Sequence, residues 1–192
     1  MEKKSMTKLK YNFSFLVILA LLLMTSITYG QDHDAAHDDG HEFKKFRVAV
    51  NLGHGYIPTA SMPDNKLVII PVWGLDFQFW FSEKWGIALK NDIEIAKYTI
   101  ENKDDHDPDL PRENPVVISL PVLFSPWDNG LTFLLGPGIE LEGHQNFSVF
   151  RLGLGYEFEF GNHWDFAPEF VYDLKDGHIN SLTLAIGIGK RF

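Results

Sequence analysis

The stretch Leu67-Val-Ile-Ile-Pro-Val-Trp-Gly-Leu-Asp-Phe-Gln-Phe79 decides the fold. Its odd positions, Leu67, Ile69, Pro71, Trp73, Leu75, Phe77 and Phe79, share one face, and Gly74, Asp76 and Gln78 share the other. Side chains of a strand alternate between its faces, so this period of two predicts a strand with one apolar and one polar side. The pattern then repeats along the chain. Trp85, Ile87, Leu89, Ile93 and Ile95 stand opposite Gly86, Ala88, Lys90, Asp92 and Glu94. Leu131, Phe133, Leu135, Ile139 and Leu141 stand opposite Thr132, Gly136, Gly138, Glu140 and Glu142. Phe150 to Phe160, Trp164 to Leu174 and Leu182 to Phe192 behave alike, and less regular strands are expected near 45–54 and 115–124.

Eight strands therefore follow from Phe43 onward. The connections alternate in kind. Short turns are expected at Ser82–Lys84, Ser125–Gly130 and Gly161–His163, and longer or more polar loops at His54–Lys66, Glu101–Asn114, Gly143–Asn146 and Lys175–Asn180. An even number of long amphipathic strands with short turns at one end is the plan of a transmembrane barrel. Pro71, Pro121, Pro137 and Pro168 lie inside strands and lack a ladder donor, which predicts local bulges or earlier strand ends. Asn91 interrupts an apolar face and is expected to mark such an offset.

Period two does not say which face points inward, so a soluble, lipocalin-like barrel is the rival. Three features oppose it. The apolar face holds more large side chains than the interior of an eight-stranded barrel accommodates. The other face mixes glycine and alanine with charges, as a narrow lumen of paired acids and bases would. Trp80, Trp85, Trp127 and Trp164 gather at the short-turn end, as an interfacial aromatic girdle does.

The N-terminus reads differently. Lys3, Lys4, Lys8 and Lys10 precede an apolar core, Phe13 to Met24, and Thr28-Tyr-Gly30 offers small residues at a cleavage site. Residues 1–30 are expected to be a secretory signal peptide, cleaved after Gly30. Residues 31–42, Gln-Asp-His-Asp-Ala-Ala-His-Asp-Asp-Gly-His-Glu, have too little apolar surface to offset ordering and are expected to be a disordered acidic, histidine-rich tail. The barrel domain is then 43–192.

Charge and cysteine usage exclude several functions. The chain carries 17 Lys and Arg against 26 Asp and Glu, a formal charge of −9, and losing the signal's four Lys and one Glu takes it to −12. Such a surface does not suit phosphate backbones, so no nucleic-acid partner is expected. With no cysteine, disulfides, thiolate metal sites and a lipidated N-terminal cysteine are ruled out.

These features together resemble the small eight-stranded bacterial outer-membrane β-barrels of the OmpA/OmpX type: an export signal, eight amphipathic strands, and a terminal Phe192 preceded by alternating Ile188, Ile186 and Leu184. Lys190 departs from that terminal pattern. In detail, Leu52-Gly-His-Gly-Tyr-Ile-Pro58 and Gly187-Ile-Gly-Lys-Arg-Phe192 resemble uncharacterised barrel proteins of Bacteroidota. The resemblance implies an outer-membrane location with the tail in the periplasm, lipid as surroundings, the barrel-assembly machinery as a partner during biogenesis, and a monomer. It implies no specific activity.

Candidate chemistry lies in three places. The lumen is expected to hold Asp76, Asp92, Glu94, Glu140, Glu142, Glu157, Glu159, Asp165, Glu169 and Asp173 against Lys45, Arg47, Lys90, Arg151 and Arg191. Twice as many acids as bases means either a salt-bridged plug or a narrow cation-permeable pore. His33, His37 and His41 recur every four residues among carboxylates and would suit Zn, Cu or Ni, although no cofactor is required. His54, His106, His144 and His178, one in each expected outer loop, form a second candidate metal set. For catalysis, His144 with Ser148 and His178 with Ser181 are the nearest imidazole–hydroxyl pairs. Neither resembles the closely spaced His-Ser of lipid A acyl hydrolases, and no Gly-x-Ser-x-Gly occurs. The expected role is structural or binding, with no enzyme activity.

Overall fold

A computed structural model of the chain describes residues 43–62, 67–100, 109–143, 145–176 and 179–192. The expected signal peptide and the tail with His33, His37 and His41 lie outside the described residues. So do His106, His144 and His178.

In chain order the strand segments are β1 (Phe46–Tyr56), β2 (Ala60–Ser61), β3 (Ile69–Trp80), β4 (Trp85–Glu94), β5 (Lys97–Ile100), β6 (Leu110–Glu113), β7 (Val116–Ser119), β8 (Val122–Phe124), β9 (Leu131–Leu141), β10 (Phe147–Tyr156), β11 (Phe158–Phe160), β12 (Trp164–Lys175) and β13 (Ile179–Arg191). β7 with β8, and β10 with β11, each make one interrupted barrel strand. The result is eight antiparallel strands, each paired with its neighbours in sequence. β13 pairs β1 from Arg47↔Arg191 to Tyr56↔Leu182, which closes the barrel and leaves no free edge. Phe192 N–H donates to the Phe46 carbonyl at 2.8 Å and completes the seam.

The expected bulges are absent at the strand prolines. β9 keeps one register from Val116↔Leu141 and Ser119↔Gly138 through to Phe124↔Phe133, across both Pro121 and Pro137. Each proline forfeits one donated bond, but its carbonyl still serves the ladder. Pro71 O accepts from Ile95 N, Pro121 O from Ala88 N and Pro137 O from Leu120 N, all at 2.9 Å. A missing donor therefore interrupts β7–β8 without shifting it. Asn91 is no offset either, since its side-chain amide donates to the Leu75 carbonyl at 3.3 Å.

The barrel is inside out relative to a soluble protein. Outward Leu52, Trp73 and Leu184 are 52%, 56% and 60% exposed, whereas inward Asp76 and Asp165 are fully buried. Apolar atoms outside and charges inside suit a hydrocarbon surrounding, where the backbone must satisfy itself within a closed barrel. Among the described residues no helix is long and apolar enough to cross a membrane.

Several sequence expectations need correction. Trp80 is not part of an outer girdle. It is 2% exposed and faces inward, in phase with Asp76 and Gln78, and its indole N–H donates to Gln78 Oε1 at 3.0 Å. With Ala88, Leu123 and Leu134 it fills the short-turn end of the lumen. Trp85, Trp127 and Trp164 do remain exposed outside. Lys45 precedes β1 and is exposed, so it is not luminal. β1 runs on to Tyr56 because His54-Gly55-Tyr56 pair on both sides, with β3 and with β13. His54 therefore sits on the outer wall rather than in a loop.

The expected loop Glu101–Asn114 contains structure of its own. β5 continues from β4, β6 leads into β7, and with β2 they form a separate three-stranded sheet. The register changes from Ile93↔Val116 to Lys97↔Glu113, one extra residue on the β4–β5 side. Opposite it, Asn114 takes a positive φ of 46°. This kink lets Arg112 point toward the interior although it has the opposite parity to inward Val117 and Ser119.

Candidate functional site

The interior is a stack of three charged tiers between two apolar ends, built because alternate strand positions deliver acids and bases to one narrow space. At the short-turn end, Arg47 Nε donates to Asp165 Oδ2 at 2.8 Å and lies 3.8 Å from Glu157. Arg191 also bonds Glu157, approaches Glu159 at 3.9 Å, and stacks over the Trp80 ring at 5.3 Å. In the middle, Lys90 bridges Asp76 and Glu169, the latter at 2.8 Å. Beside it Arg151 holds Asp173 in a two-pronged grip, at 2.7 and 2.8 Å, and also bonds Asp92. At the loop end, Lys175 spans Glu94 at 2.8 Å and Glu140 at 2.5 Å. Arg112 bonds the same Glu140 and reaches Glu142 at 3.5 Å.

Each of these luminal bases thus serves two carboxylates. That arrangement accommodates more acids than bases without a carboxylate standing far from a cation, the condition under which burying charge is tolerable. Space is made by small neighbours. A Cβ on Gly189 would fall within 2.7 Å of the Arg47 guanidinium, and one on Gly74 would strike Asp92. The gap left among Asn51, Lys90, Asp92, Arg151, Glu169 and Asp173 has a volume of about 20 Å³, room for roughly one water.

Above the upper tier the chemistry changes. Ile57, Ala60, Val68, Ile70, Val72, Tyr98, Ile100 and Phe147 form a buried apolar cluster, with Met62, Ala96, Leu110 and Ile179 packed on it. The small sheet of β2, β5 and β6 supplies part of this cap. Two contacts bolt it to the ladder. Tyr98 OH donates to Glu94 Oε2 at 2.6 Å, and the Arg112 guanidinium lies 4.5 Å over the Phe147 ring. Burial, then the facing Glu94, push the Tyr98 phenol above its ordinary range, so it remains a donor.

Of the fifteen residues expected in the lumen, Asp76, Lys90, Asp92, Glu94, Glu140, Arg151, Glu157 and Glu169 take part in these ion pairs, as do Arg47, Glu142, Glu159, Asp165, Asp173 and Arg191, and Lys45 does not. Glu159 is a marginal member, its side chain 67% exposed at the rim. Sequence reasoning missed Arg112 and Lys175, both placed in loops. For Lys175 the signal existed, because it continues the parity of Asp165, Glu169 and Asp173. For Arg112 there was none, since the kink at Asn114 reverses the phase.

Of the loop-histidine and hydrolase candidates, His54, Ser148 and Ser181 lie among the described residues. His54 points outward beside Pro71 and Leu184, and its three expected partners lie outside the described residues. Among the described residues no group of three or more His, Asp or Glu forms a site for a metal ion. Ser181 is 2% exposed and faces the interior, where no acyl chain of a lipid reaches. Ser148 is exposed, its backbone tied to Asp176.

A closed eight-stranded antiparallel barrel with an apolar wall and a charged interior defines the class: this chain has the fold of the small transmembrane β-barrels. Solved structures agree. The outer membrane protein OprG from Pseudomonas aeruginosa matches with a TM-score of 0.56 at 14% identity, over 78% of this chain and 97% of that one. Neisserial surface protein A matches with a TM-score of 0.51 at 12% identity, over 77% and 97%. No protein-family model matches the chain, and no curated protein matches its sequence.

Proposed function

We propose that the chain is an outer-membrane protein with a structural or binding role, a non-conducting barrel rather than a pore or an enzyme. One observation carries this reading: the lumen is filled along its length, by Trp80 and its neighbours at one end, the ion-pair tiers between, and the apolar cap at the other. Conduction needs a continuous wet path, and the gap between the charged tiers, about 20 Å³, has room for roughly one water. The apolar wall supports residence in a bilayer. Export by the segment 1–30 would bring the chain to the outer membrane with residues 31–42 in the periplasm.

Planar-bilayer recording of the folded protein tests the proposal. The expected result is no single-channel conductance above baseline. Steady cation-selective steps would instead establish the narrow pore that the surplus of luminal carboxylates otherwise suggests. A second proposal concerns the tail: His33, His37 and His41 bind Zn, Cu or Ni. Calorimetry of the full chain against a variant with all three changed to Ala should show zinc heat in the first and none in the second.

A further inference from the structure

Lys190 is the residue that breaks the alternation of the final strand, and the barrel's interior gives it no role. It lies on the outer wall of β13, in register with Trp164 of β12 on one side and Val48 of β1 on the other. Its ammonium stands 5.3 Å from the Trp164 ring centre and 5.5 Å from that of Phe192. A cation over two aromatic faces is held in place by their quadrupoles, and its stem lies along apolar surface. Yet among the described residues no carboxylate pairs with it, whereas each luminal base has two. With no partner among the described residues, this wall-facing cation is open to an anion from the surroundings.

Its height on the barrel says from where. Trp164 opens β12 directly after a short turn, and exposed Trp85 and Trp127 mark the same level. Tryptophans at that level sit among lipid headgroups. The neighbouring strands add charge of the same sign there, with exposed Lys45 just before β1 and exposed Lys84 in the β3–β4 turn. Glu83 adjoins Lys84 in that turn, and Glu159 is exposed at the same rim, one strand beyond Trp164. β13, β1, β3 and β4 are consecutive around the barrel, so the arc is contiguous. It stands out on a chain whose formal charge is −9.

We infer that Lys190, framed by Trp164 and Phe192 and supported by Lys45 and Lys84, is a binding site for the phosphate of an anionic phospholipid in the leaflet at the short-turn end. This rests on the membrane reading above, and the test separates the two. Protein is folded into phosphatidylethanolamine bilayers with and without phosphatidylglycerol, and lipids retained on it are counted by native mass spectrometry. The wild type should retain phosphatidylglycerol over phosphatidylethanolamine. K190Q should lose about fivefold of that preference, as expected where each basic residue near an anionic surface contributes roughly 1 kcal/mol. K190R should keep it, and K97Q, at the far end of the barrel, should leave it unchanged. An undiminished preference in K190Q, or an equal loss in K97Q, would overturn the site while leaving the barrel in its membrane. Failure of the wild type to insert into either bilayer would overturn the membrane reading, and the site with it.

Discussion

The two ends of the interior are closed by different means. The short-turn end is stopped by the Trp80 cluster, with Arg191 laid over the indole. The loop end is closed by a larger cap to which the separate sheet of β2, β5 and β6 contributes, in the manner of a soluble core. The difference follows from what surrounds each end. At the short turns, strands reverse at once and there is little backbone to cover. At the other end the β4–β7 hairpin continues into β5 and β6, and this added backbone needs an apolar core of its own. Between the ends, the charged ladder is a third kind of interior, held by pairing rather than by exclusion of water.

Substitutions in each kind of interior should differ in cost, read by urea unfolding in lipid vesicles with tryptophan fluorescence. The largest effect belongs to the ladder. Lys175→Met leaves Glu94 and Glu140 buried without their shared cation, and stability should fall by about 3–5 kcal/mol. A loss below that seen for the cap would mean the ladder is wetter than it looks. Ile70→Ala in the cap removes a fully buried side chain and should cost about 2–4 kcal/mol. Tyr98→Phe, which cuts the bolt between cap and ladder, should cost about 1–2 kcal/mol.

The same tyrosine sets a pH dependence. Its phenol is held above its ordinary range when folded, so its contribution is complete below about pH 10, where an unfolded tyrosine begins to ionise. It is lost as pH rises beyond that. An alkaline fall in stability that is smaller in Tyr98→Phe than in the wild type would match, and identical pH profiles would contradict it. The smallest effect is expected on the wall: His54→Ala should change stability by less than about 0.5 kcal/mol, because it touches neither ladder nor cap.

How much of this was legible in the sequence follows from what period two can carry. Strand number, antiparallel order and the inward face of Asp76, Lys90, Glu140 and Arg151 could all be read from alternation, because each strand keeps its phase from end to end. Trp80 was legible too, in phase with Asp76 and Gln78, but its place beside a turn suggested the girdle instead. The cap was not legible. Ile57 and Tyr98 come from segments outside the barrel strands, and only the kink at Asn114 brings Arg112 and β6 over the lumen. The prolines misled in the other direction: a ladder that is paired on both sides tolerates a missing donor without slipping.

The barrel is inside out, with an apolar wall toward lipid and an interior closed to it. Fluorescence quenching by lipids brominated along the acyl chain tests it most directly, using two variants that each retain a single tryptophan. Trp73 lies on the wall and Trp80 within the short-turn plug. Strong quenching is expected of the Trp73-only protein and little or none of the Trp80-only protein. Equal quenching of the two would contradict it.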